Sequence, residues 1–235
     1  MNELNPNNPD AGPESSEPNE AVTERLVPPE PVEPVDDRPR IAAEEAKPLA
    51  LFWIDYGLMM LRTALRSFEP ESPADVRINL ALDTLRRHFH TDRRDEKLTE
   101  KGAIELVEQN FQTMRRSLAA SASIFRSADD ETASQNTRGY FGSGLTVAAY
   151  AYTHKSISFT SHFPPLGPRC KSAVIVHQLA HFIDARMRDH SCGGLIYDLA
   201  DFEASLFNVH CYPNFAVNAT PPYLDERYGM TRPEI

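Results

Sequence analysis

The sequence predicts an α+β fold, mainly helical with a small antiparallel sheet, on three observations. Apolar residues recur every three or four positions between Leu49 and Leu118, the pattern of helices that bury one face. After Ser121 the period shortens toward that of strands. An apolar segment, Ser172 to Asp184, then carries two histidines four residues apart, His177 and His181.

Residues 1–47 hold twelve acidic and four basic side chains and almost no aromatic ones, and ten of the nineteen prolines precede Leu49. So little apolar surface cannot offset the entropy of ordering, so the expectation is a disordered tail over 1–47 followed by one domain over 48–235. That domain divides into a helical scaffold (48–120) and a region of sheet and site (121–220). The tail carries most of the net charge of −10, which leaves a nearly neutral domain without the basic face of a nucleic-acid binder. Leu49 to Leu61 is the most apolar run, but Asp55 interrupts it and it is too short to cross a bilayer, so no membrane association is expected. Three cysteines, Cys170, Cys192 and Cys211, are too few for a disulfide framework. With no secretory signal at the N-terminus, a soluble cytoplasmic protein is expected, with signal-independent export left open.

Within the scaffold, Trp53, Tyr56, Met60, Ala64 and Leu65 can share a face of a first helix. Ser72-Pro73-Ala74-Asp75 reads as the start of a second, which runs through Leu80, Leu85 and Phe89 and ends near His90. Thr99 can cap a third that carries Ile104, Val107, Phe111, Met114 and Leu118. His88 and His90, at a helix C-terminus that favours a protonated imidazole, read as structural or surface residues. Ser123 to Phe125 is a short strand, and Leu145–Thr153 and Ser156–Phe163 form an antiparallel pair about the turn His154-Lys155. Pro164 to Pro168 ends that pair before the histidine helix. The final block, Asn208 to Ala216, mixes polar and aromatic residues in a way that propensity does not explain.

On a helix the His177–His181 spacing places both imidazoles on one face, where they can share one ion, and Asp184 falls on that face too. In a zinc peptidase the residue after the first histidine is a glutamate that accepts a proton from the attacking water. Here it is Gln178, similar in shape but unable to take the proton.

With these residues placed, the region from Arg87 to Ala219 resembles the deuterolysin and lysine-specific metalloendopeptidase (aspzincin) family of zinc peptidases. The likeness rests on Ala149-Tyr150-Ala151-Tyr152 leading into Ser156-Ile157-Ser158-Phe159, on Val174 to Phe182, on Tyr197, and on Asn208, Tyr212, Phe215 and Ala216. It implies a zincin-like fold, zinc held by His177 and His181, and Tyr197 stabilising the oxyanion. The family's ligand aspartate is missing where Gly194 stands, three residues before Tyr197, and His210 replaces an aspartate of its closing pattern. Counted forward from His181, the ligand spacing falls near Asp189 and His190. His190 is then the expected third ligand, with Asp184, Asp198 and Cys192 as poorer candidates. The resemblance therefore implies a metalloendopeptidase-like protein, inactive or impaired at Gln178, or a pseudoprotease that binds a peptide or protein partner without cutting it.

Overall fold

A long helix, α1 (Arg38–Leu65), is the axis of the protein. It packs against α2 (Val76–Phe89), α3 (Glu100–Ala119), α4 (Pro168–Ile183), α7 (Cys211–Ala219) and strand β1 (Phe125–Ser127). The computed structural model describes residues 36–70, 75–120, 122–131, 148–152, 154–190 and 195–220, all in a compact unit that begins at Val35. Two short helices, α5 (Leu195–Leu199) and α6 (Phe202–Leu206), precede α7. Among the described residues the fold is mostly helical, and no helix is long and apolar enough to cross a membrane.

Helix α1 starts ten residues earlier than the sequence suggests. The expected disorder of residues 1–35 lies outside the described residues, but Arg38 to Lys47 are helical, and Ala42, Ala43 and Ala46 are buried. Pro39 occupies the first turn, where a missing N–H costs nothing, and Pro48 lies on the exposed side of the helix, where a local bend is tolerated. The small alanines let α4 approach, so that the Ser172 hydroxyl donates to the carbonyl of Ala46 at 3.4 Å. Two further bonds hold this end to the β1 region: the Arg40 N–H donates to Ser127 Oγ at 3.2 Å, and the Ser123 hydroxyl donates to the Glu44 carboxylate. Deeper in the helix, Gly57 makes room for an aromatic ring, since a Cβ there would stand 3.0 Å from Phe111 Cε1.

The scaffold helices otherwise follow their patterns. Asp75, not Ser72, caps α2 by accepting from the Arg77 N–H, and Ser72 to Ala74 lie outside the described residues. Leu80 is 61% exposed, while Leu85 and Phe89 are buried. Thr99 caps α3 through the Gly102 N–H, and all five periodic residues of α3 are buried.

The sheet has three short strands in the order β1-β3-β2, where β2 is Ala149–Tyr152 and β3 is Ser156–Phe159. The expected hairpin is present, with Tyr152 opposite Ser156 and His154 at φ 56° in the turn. The sheet is mixed rather than antiparallel, because β1 runs parallel to β3. Parallel strands need a crossover connection, and the chain between β1 and β3 passes first through β2.

The closing block proves to be a docking surface. Tyr212 and Phe215 of α7 meet Phe89 and Phe111 with ring centroids 5.1 to 5.6 Å apart, mostly edge to face. The fully buried Tyr212 hydroxyl accepts from Asn110 Nδ2 and donates to the Leu206 carbonyl, both at 2.7 Å. This cluster fixes the start of α7, and with it His210.

Ala43→Asp places an unpaired carboxylate in the core and should cost about 3 kcal/mol or more in urea unfolding. Ile41→Asp, two residues away and 47% exposed, should change stability by no more than about 0.5 kcal/mol. Equal tolerance of both would return this segment to the tail.

Candidate metal centre

Helix α4 opens with Pro168 in its first turn and buries Ile175, Val176, Leu179 and Ala180. That burial fixes its rotation and leaves His177 and His181 on a partly open face, with ring centroids 5.3 Å apart. The helix stops before Asp184, whose carboxylate takes the Arg186 guanidinium, at 2.6 Å from Nη2, and so leaves the histidine face. The chain then forms a parallel bridge between Arg188 and Asn208: the Arg188 N–H donates to Phe207 O at 2.9 Å, and the Val209 N–H donates to Arg188 O at 3.1 Å. One residue beyond the bridge on the first segment is Asp189; two beyond it on the second is His210. The Asn208 side chain fixes the latter by accepting from the His210 N–H at 3.1 Å.

These segments converge on one carboxylate. His177 Nε2 lies 3.0 Å and His210 Nε2 3.6 Å from Asp189 Oδ1, and His181 Nε2 lies 3.2 Å from Oδ2. Donor atoms of His177, Asp189 and His210 all lie within 4.8 Å of one another, a group that can hold a metal ion. Burial pushes the Asp189 carboxyl up, but His177 and His181 outweigh it and hold the group well below the usual carboxylate range. Burial and the charge of His177 push His210 down, toward the neutral form that coordinates metals.

Two observations test whether a metal fits. Asp189 Oδ1 is buried and has no hydrogen-bond partner, so the 3.0 Å approach of His177 is a close contact without hydrogen-bond alignment. The donor set is imidazole and carboxylate, and in a tetrahedral zinc site with bonds near 2.0–2.1 Å the donors stand about 3.3 Å apart. The His177 and His210 nitrogens, 3.0 and 3.6 Å from the same Asp189 oxygen, bracket that value. His177, Asp189 and His210 could hold a metal ion.

His190, the expected third ligand, is exposed, and it is its neighbour Asp189 that lies against His177 and His181. Side chains alternate along an extended segment, so if Asp189 points inward its neighbour points out. Asp198 is also exposed, and Cys192 and Gly194 lie outside the described residues.

Gln178 faces the sheet. Its Nε2 donates to the Ala149 carbonyl at 3.2 Å, while Oε1 is buried without a hydrogen-bond partner. The Thr160 N–H donates to Ala148 O, which sets the inner rung of the hairpin and turns the polar groups of Ala149 toward the outer edge of β2.

Tyr197 is 7% exposed, and its hydroxyl lies 2.9 Å from His88 Nδ1 rather than open to a cleft. Asn218 Nδ2 approaches the other ring nitrogen of His88 at 2.8 Å. Burial and the charge of Arg87 push His88 down to about 4, so this helix-end histidine is neutral, contrary to expectation. His90 is buried as well, with Nδ1 2.7 Å from Ser205 Oγ and φ at 48° where it ends α2.

Of the site, the sequence missed the part played by His210, whose only signal was its replacement of an aspartate in the closing pattern. No protein-family model, characterised protein or solved structure matches the chain.

His88 supplies a pH test. Its folded pKa of about 4 lies below the ordinary 6.5, so the unfolded chain takes up the proton first as pH falls. Its contribution is fully present above pH 6.5 and is lost toward pH 4, by about 3 kcal/mol in total. Urea titrations at several pH values should show that decline in the native chain and a shallower one in His88→Gln.

Proposed function

We propose that this chain is a zinc metalloendopeptidase-like protein in which peptide hydrolysis is silenced. His177, His181 and Asp189 hold the zinc, and the fold around them is zincin-like. The observation that carries this reading is the convergence of the His177 and His210 imidazole nitrogens on the buried Asp189 Oδ1, which has no hydrogen-bond partner, with His181 against Oδ2. Zinc in such a set supplies Lewis-acid polarisation of water and of a carbonyl.

The remaining work falls to the protein, and there the residues point away from turnover. An amide at position 178 accepts no proton, and loss of a positioned general base costs ~10²–10⁴-fold in rate. Gln178 also spends its N–H on Ala149. The Tyr197 hydroxyl is engaged with His88, and burial pushes its acidity far from neutral pH. A protein that keeps the metal face and loses the base and the tyrosine suits a role in holding a peptide or protein segment uncut.

Purified protein should carry stoichiometric zinc by elemental analysis. His177→Ala and Asp189→Asn should lose it, whereas His190→Ala should keep it. Chelator-sensitive cleavage of a denatured protein substrate should be undetectable; turnover by the native chain would refute the silencing, and absence of zinc would refute the whole reading.

Gln178→Glu should lose about 1–3 kcal/mol at neutral pH, because it sets a carboxylate against the Ala149 carbonyl in place of a donor. Part of that loss should return in acid, where the introduced carboxyl is protonated and can donate again. A variant as stable as the native chain at neutral pH would show that the Ala149 contact is dispensable.

A further inference from the structure

We infer that His210 is a fourth protein ligand, which closes the coordination sphere and makes the centre a structural one that ties three chain segments together. The inference rests on the zinc reading above and goes beyond it, because a catalytic zinc keeps one position open for water or substrate while a structural zinc has four protein donors.

The geometry separates a ligand from a neighbouring polar group. His210 Nε2 stands 3.6 Å from Asp189 Oδ1, too far for a hydrogen bond but near the donor separation of about 3.3 Å in a tetrahedral zinc site. Its ring centroid lies 4.8 Å from that of His177, closer than the 5.3 Å between His177 and His181. The three donors mutually within 4.8 Å are His177, Asp189 and His210, so His210 belongs to the tightest part of the group.

Its placement is also built in. The Arg188–Asn208 bridge fixes the chain two residues before it, the Asn208 side chain holds its N–H, and the Tyr212–Phe215 cluster anchors the helix that follows. A side chain held on both flanks costs little further entropy to order at a metal. The four donors come from α4, from the segment after it, and from the entry to α7. Zinc in this set is a cross-link between elements distant in sequence, and the site offers no vacant position for a carbonyl.

The test uses the full chain loaded with cobalt(II), whose visible absorption reports coordination number, with acetohydroxamate as a probe for an open position. The native spectrum should be that of a four-coordinate centre and should not respond to acetohydroxamate. His210→Ala should admit the probe with a spectral shift and lose at least the ~10–100-fold in metal affinity that removal of a mere supporting group costs. His210→Gln, which preserves bulk, should respond alike and covers the case in which alanine disturbs folding. A native spectrum that shifts with acetohydroxamate, or variants with unchanged affinity, would overturn the fourth ligand while leaving the zinc reading intact. A native chain that binds neither cobalt nor zinc would overturn both.

Discussion

A single rung of backbone pairing, Arg188 against Asn208, brings together the residues that could hold a metal ion. Without it Asp189 belongs to a loop after a helix and His210 to the entry of another, and nothing in their local sequence brings them together. The rung itself is two hydrogen bonds of ordinary length, and such bonds contribute about 1 kcal/mol each at the net level. It persists because both flanks are already held: Met187 is buried on one side, and the aromatic cluster seats α7 on the other. Packing does the holding, and the rung sets the register.

The electrostatics follow from that register. A mostly buried carboxylate is costly unless it is compensated, and among the described residues the imidazoles of His177, His181 and His210 lie against Asp189. Protons and a metal compete for imidazole ligands, so a metal bound on this face would be held less tightly in acid.

What was legible in the chain was local. The Thr99 cap and the periodic residues of α3 announced a helix that the fold contains unchanged, and the turn at His154-Lys155 announced the hairpin. The His177–His181 spacing marked the face of the metal group for the same reason, since helical geometry alone puts them together. What was hidden depended on contacts between distant segments. Proline and charge concealed the first ten residues of α1, whose alanines are useful only because α4 and β1 lie against them. Asp189 and His190 were equivalent as neighbours in sequence, and only the bridge separates them. The resemblance gave Tyr197 an oxyanion role, and nothing near it in sequence announced its partner His88, which lies on a helix early in the chain.

The contact between Gln178 and Ala149 has a consequence for how copies of this protein meet. Among the described residues β2 is an outer strand, and exposed outer strands invite pairing with another chain and, at high concentration, sheet growth between molecules. The glutamine amide occupies one outward acceptor of that strand from within the same molecule. An approaching strand would have to displace a buried side chain to gain that hydrogen bond, and a glutamate at the same position would offer no donor when ionised. Gln178 thus acts as a guard against self-association along that edge.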